Sequence, residues 1–401
     1  MAERPPVTDW ATDFDHTDPQ WVADPHPIWD DLRKRCPVAH TERFNGVYFP
    51  TRYEDVKAIT YDTEHFSSHR VVVREVAVQG GSSPPITSDP PDHGGHRRVL
   101  LAAFAPNAIR PLEDRTREIC AELIDKLSEQ DECDAAGDYA RHIPVRVIAH
   151  MLGVSAEDGD KFRGWIQETL EEGVTDYEKA MSGLIGMSTY IHEQVVLRRD
   201  RQARGEPLGD DIISMLLNTE IDGQPITNEH LVNTVRLLLI AGIDTTWSAI
   251  GASIWHLATH PEDRERLIAE PELLPTAIEE LLRAYAPVTM ARVITSETEV
   301  GGCTFKPGEM VMLPFPSANR DPEVFPDADK VIIDRAENRH MAFGVGIHRC
   351  LGSNLARMEL RVALEEWLKR IPTFSLADPD GVTWSQGTVR GPRALPVKIG
   401  H

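Results

Sequence analysis

Between positions 93 and 370 apolar residues return every three or four places, the spacing of one face of a helix. Periodic segments run over 107–128, 139–152, 157–171, 178–201, 228–259, 276–285 and 353–370, and 28–36 reads as a shorter helix. Runs at 46–50, 291–300, 303–305 and 309–313, with the tail at 382–399, predict strands. The first 25 residues are polar and are expected to wrap the surface. Residues 71–91 join a valine-rich run to Gly80-Gly81-Ser82-Ser83-Pro84-Pro85, which predicts a mobile loop. The expected class is mainly α with a smaller β part.

The segment 228–259 differs from the others. It is long enough for a helix of about 45 Å, and apolar residues occupy almost every face of it, so it should be buried. At its middle stand Ala241-Gly242-Ile243-Asp244-Thr245-Thr246. An acid there is costly unless paired, and threonines can bond back to carbonyls one turn earlier. On these residues alone, Asp244 reads equally as a helix-bending acid held by hydrogen bonds and as a functional group.

Composition narrows the partners more than the fold. The chain has 401 residues, 41% of them hydrophobic, enough for a large core; by length alone two domains would be expected. A net charge of −22 argues against wrapping nucleic acid or binding anionic lipid. The five cysteines, Cys36, Cys120, Cys133, Cys303 and Cys350, show neither paired nor zinc-binding spacing, which suits a reducing cytoplasm. The N-terminus has no apolar leader, and no run of 18 apolar residues is present, so no membrane span is expected.

The most specific chemistry lies at 343–352, Phe-Gly-Val-Gly-Ile-His-Arg-Cys-Leu-Gly. Gly344 and Gly346 allow unusual backbone and a close approach to a flat partner. Ser353 or Asn354 is expected to cap the helix that follows, whose positive end would favour a thiolate at Cys350. A single cysteine is more often an inert buried hydrophobe. The joint pattern Phe-Gly-x-Gly-x-His-x-Cys-x-Gly, with the Ala241 to Thr246 stretch, instead resembles the cytochrome P450 family of haem-thiolate monooxygenases, and the resemblance covers essentially the whole chain.

The resemblance implies a single cytochrome P450 domain over 1–401, a helical prism enclosing haem b, of the soluble bacterial type. It makes Cys350 the iron ligand, in a loop with Phe343, Gly344 and Gly352. Ala241 and Gly242 would leave room for O2, Thr245 would position oxygen and protons, and Asp244 would deliver protons. Glu280 and Arg283 lie three apart on one helix face; with Arg335 they match the family's buried network behind the cysteine loop. His93, Arg97, Arg292 and His348 match contacts to the haem propionates, with His96 a competitor for the place of His93. Electrons would come from a ferredoxin and its NAD(P)H-dependent reductase, docking on a basic face of Arg98, Arg349, Arg357 and Arg361. Ile86, Ala241, Val288 and Met290 would line a pocket for an apolar substrate of small to medium size. A peroxygenase of the same fold lacks the acid–alcohol pair. A haem sensor or electron carrier would not need the apolar pocket.

Overall fold

The computed structural model describes residues 5–75 and 82–400. Its helices of nine residues or more are α1 (His26–Arg35), α2 (Tyr53–Tyr61), α3 (Asp92–Leu101), α4 (Leu112–Leu127), α5 (His142–Leu152), α6 (Gly159–Leu170), α7 (Tyr177–Ala203), α8 (Asn228–Thr259), α9 (Pro261–Ala269), α10 (Leu274–Ala284) and α11 (Ser353–Arg370). The predicted helix at 107–128 is broken: a short turn, Pro106–Ile109, precedes Pro111, the residue before α4. Proline has no N–H to donate inside a helix, so α4 starts after it.

The centre of the molecule is α8. Thr227 caps it by accepting from the N–H of His230, and α5, α7 and α11 pack on it. Long and apolar enough to cross a membrane by composition, α8 has 67% of its most apolar window buried in the protein, as a core helix does. Gly242 decides one of these contacts. A Cβ there would meet the Ile148 side chain of α5 at 3.2 Å, so the missing side chain admits the neighbouring helix.

Five strands form the main sheet: β1 (Val38–Thr41), β2 (Val47–Pro50), β3 (Phe66–Ser67), β4 (Thr289–Ile294) and β5 (Met310–Pro314), in the spatial order β1-β2-β5-β4-β3. β4 runs antiparallel to β5 with Met290 opposite Leu313 and Arg292 opposite Val311. Side chains alternate along a strand, so Val288, Met290 and Arg292 face the same way, toward the central cavity. A second sheet joins Thr373–Leu376, Pro396–Gly400 and Glu132–Asp134. The strand Pro392–Ala394, paired with Thr383–Trp384, runs beside α8.

The N-terminal segment corrects an expectation. It does not merely wrap the surface: Phe14 and Trp21 are buried and lie 5.7 and 4.9 Å, ring to ring, from Phe49 of β2. A few aromatics in a polar stretch bury enough area to anchor it. The predicted loop at 71–91 lies partly outside the described residues, Gly80 and Gly81 included; 71–75 and 82–91 are described.

Candidate active site

A cavity of about 430 Å³ separates α8 from the loop that carries Cys350. Ala241, Gly242, Thr245, Ile86, Val288 and Met290 line it, as do Phe343, Gly344, His348, Cys350 and Gly352. Gly344 and Gly346 have φ of +63° and +71°, which side chains disfavour, and these two turns bring the cysteine to the cavity wall. The N–H of Cys350 donates to Phe343 O at 2.8 Å and closes the loop.

The start of α11 departs from expectation. Gly352 is the cap residue and no side chain caps the helix; Ser353 is already its first residue and is buried, while Asn354 reaches Phe104 O at 3.5 Å. The backbone turns into the helix immediately behind the sulfur, leaving no position for a side-chain cap. Burial pushes the Cys350 thiol up, and the Gly352 N–H with the cations of Arg97, Arg349 and Arg357 pulls the other way. A metal cation at the sulfur would favour the thiolate.

Two arginines and two histidines converge at one edge. Arg292 is buried with its Nη1 donating to Ala291 O at 2.7 Å, and burial lowers it to about 10. Arg97 Nη2 donates to Arg349 O at 2.6 Å, tying α3 to the cysteine loop. His348 Nε2 shares a hydrogen bond of 2.9 Å with Ser68, and burial and then Arg292 lower its imidazole to about 3. His93 packs edge-on against His348, ring centroids 4.5 Å apart, and its buried Nε2 has no partner among the described residues. His96 is elsewhere, bonded to Ser88 and packed edge-on against His230, so it does not compete.

Behind the loop lies a buried frame. The Glu280 carboxylate accepts from Arg283 Nε and Nη2, both at 2.8 Å, from Arg335 Nε at 3.0 Å, from Asn338 at 3.0 Å and from the N–H of Ile332 at 2.9 Å. Arg283 donates onward to the carbonyls of Asn319, Ala328 and Lys330. The neighbouring Glu279 binds Arg357 at 2.6 and 2.7 Å and His340 at 3.0 Å. The Arg357 guanidinium then stacks on the Phe343 ring at 4.4 Å. Burial opposes ionisation of Glu279, but Arg357 and His340 outweigh it and hold its carboxyl down at about 2.

On the other side of the cavity, Thr245 Oγ1 donates to Ala241 O at 2.8 Å, one turn back. Asp244, its neighbour in sequence, faces away. It borders a separate pocket of about 80 Å³ with Arg141, Arg163, Gln167, Glu171 and Trp247. Arg393 Nη2 lies 2.7 Å from Asp244 Oδ1, within ion-pair reach but outside hydrogen-bond alignment. The same guanidinium binds Glu171 Oε1 at 2.7 Å and Ser248 Oγ at 3.2 Å and stacks on Trp247 at 4.2 Å. Burial raises the Asp244 carboxyl and Arg393 offsets part of the rise.

A loop cysteine facing α8 across an enclosed cavity, with a buried glutamate–arginine frame behind it, is matched by comparison with known proteins. The Cytochrome P450 family model matches residues 162–382. The chain belongs to the cytochrome P450 family. It is 34% identical to mycinamicin IV hydroxylase/epoxidase of Micromonospora griseorubida, over 92% of this chain and 94% of that protein. It is 36% identical to nocardicin C N-oxygenase of Nocardia uniformis subsp. tsuyamanensis, over 93% and 95%. The structure of CYP109E1 from Bacillus megaterium in complex with testosterone superposes with a TM-score of 0.86 at 31% identity, covering 94% of this chain and 98% of that one. The chain is thus a P450 monooxygenase, an oxidoreductase acting on an organic substrate with O2 and external electrons.

The family's prosthetic group is a haem held through a cysteine thiolate, and this chain's residues fit it. Cys350 faces the cavity, His93 Nε2 is a buried donor without a partner, and Arg292 has no carboxylate within ion-pair distance among the described residues. Two of the cations proposed from sequence for partner docking are already paired: Arg357 with Glu279, and Arg361 with Glu113 at 2.6 Å and Glu365 at 3.1 Å. Acidic neighbours on α4, α10 and α11 neutralise them. Arg98 and Arg349 stay exposed and without an acidic partner among the described residues. Sequence reasoning did not find Arg393 and Glu171, nor the Glu279–Arg357–Phe343 clamp; their partners are remote in sequence, and no local motif marks them.

Proposed function

We propose that this P450 works as one haem domain over 1–401 and inserts one oxygen atom from O2 into an apolar organic substrate, by hydroxylation, epoxidation or oxidative dealkylation. Haem b is the cofactor, and a ferredoxin with its NAD(P)H-dependent reductase supplies electrons in the cytoplasm. When bound, the haem activates O2 and transfers one of its oxygen atoms; Cys350 holds the iron, and His93, Arg97, Arg292 and His348 hold the propionates.

The observation that carries the reading is the division of Asp244 and Thr245 between two spaces. Thr245 faces the cavity where substrate and oxygen meet; Asp244 faces a pocket with room for several waters. Asp244 takes a proton from that side, and Arg393, held by Glu171, places its positive charge beside the carboxylate. Thr245 hands the proton on at the cavity wall and keeps it from the wrong oxygen. Burial raises the Asp244 carboxyl, which moves it toward the range where a relay acid is effective. A peroxygenase, fed by H2O2, needs no such route. Val288, Met290, Ile86 and Ala241 form the apolar side of the substrate space and exclude bulk water. For the partner, exposed Arg98 and Arg349 flank the cysteine loop, with Ile347 exposed beside Arg349.

The test is turnover with a ferredoxin pair under oxygen-18 gas. Product carrying the label, formed with NAD(P)H and not accelerated by H2O2 alone, is the expected result. Unlabelled product driven by H2O2 would make the enzyme a peroxygenase.

A further inference from the structure

Arg236 sits on α8, buried, on the substrate side of the cavity. Burying an arginine is costly and is normally offset by a carboxylate. In a chain with 64 acidic residues, Arg236 has none within ion-pair distance among the described residues. Its Nη1 donates to Ser188 Oγ at 3.0 Å and its Nη2 to Ser82 O at 3.0 Å and Ser83 Oγ at 3.3 Å; Nε is buried without a partner. Burial alone lowers it from its ordinary value, with no acid raising it back. Around it the wall is apolar: Ile86, Leu184, Leu237 and Ile240. Arg74, on the same cavity wall, is also without an acid and donates to Gly173 O at 2.7 Å.

We propose that the substrate carries a carboxylate, and that Arg236 binds it and fixes which carbon of an apolar body reaches the reacting end of the cavity. The inference rests on the monooxygenase reading above and names the substrate class for the same cavity. Thr245 follows Arg236 by nine positions, so the two lie about 13 Å apart along the α8 axis. An unbranched chain of about twelve carbons, with about eleven bonds at roughly 1.2 Å each, spans that distance. An anion at Arg236 therefore places the far end of such a chain near Thr245, and a shorter acid would fall short of it. For a buried guanidinium a charge-assisted hydrogen bond is strong, because the unpaired alternative leaves a cation desolvated.

The probes are dodecanoic acid and methyl dodecanoate, titrated into the haem-loaded enzyme and its variants by calorimetry and by the Soret shift. The acid is expected to bind the parent at least about tenfold more tightly than the ester. Arg236→Gln should remove that preference by weakening the acid alone, and Arg236→Lys should keep part of it. Equal affinities in the parent would overturn the proposal. So would an equal weakening of acid and ester in Arg236→Gln, which would make Arg236 only a tether between α8 and residues 82–83. If Arg236→Gln fails to retain haem, Arg236→Met and the parent ratio decide by the same criteria. The shifted Soret band that a thiolate-ligated haem gives with CO is recorded throughout. Its absence from the parent would mean failure of the monooxygenase reading, and its presence with no acid preference would mean failure of this inference alone.

Discussion

At the scale of single residues, Asp244 and Thr245 are neighbours in sequence that face different spaces, and the proposed proton route divides its task between them. Their variants should therefore differ in kind. Thr245→Ala should still bind substrate and still oxidise NAD(P)H, with the electrons appearing as H2O2 in place of product. Asp244→Asn should instead slow NAD(P)H oxidation by about 100-fold, the scale of losing a positioned proton-transfer group. Product formed per NAD(P)H, measured beside the oxidation rate, separates them. A coupled Thr245→Ala with a parent-like Asp244→Asn would show that the motif only shapes the helix. Both residues were legible in the sequence because their motif is local. Arg393 was not: it reaches Glu171 across 222 positions, and neither residue stands in a pattern that announces the other.

Among the elements, α10 and α11 hold the cysteine loop from behind. Glu280 and Arg283 are both fully buried, and removing one partner of such a pair leaves the other charged and unpaired. Glu280→Ala should cost about 3–5 kcal/mol and most of the haem retained at purification. Parent-like melting and haem content would contradict a buried frame. The spacing of these two residues was readable in sequence; the contribution of Asn338 and of the Ile332 N–H was not, because it depends on how a loop folds back over α10. Glu279 adds a pH dependence. Its folded value, about 2, lies below its ordinary 4.5, so the clamp to Arg357 stabilises fully above pH 4.5. That contribution falls as pH drops from 4.5 toward 2. Glu279→Gln should flatten this part of the acid-unfolding curve; an unchanged slope would mean the clamp carries no stability.

Across the whole molecule, sequence reasoning found the helical class, the positions of several strands and the cysteine loop, since each is written in local periodicity or a short motif. It placed the N-terminal segment wrongly, because the few aromatics that bury it are scattered among polar residues. It overestimated the basic docking face, because Arg357 and Arg361 meet their acids only in the folded protein. With a net charge of −22, the attraction available to an acidic ferredoxin rests on few cations. Charge reversal at Arg98 or Arg349 should slow reduction by ferredoxin at low salt and leave substrate affinity unchanged. The same reversal at Arg361 should do less, since that cation is already paired. Equal effects at all three positions would mean that bulk charge, not a docking face, sets the rate.

The central claim is that Cys350 holds a haem iron through its thiolate, and the spectrum of the reduced, CO-bound protein tests it most directly. The parent is expected to give the red-shifted Soret band of a thiolate-ligated haem, and Cys350→Ala to lose it, whether or not that variant still retains haem. The same band in purified Cys350→Ala, or its absence from a haem-loaded parent, would contradict the assignment.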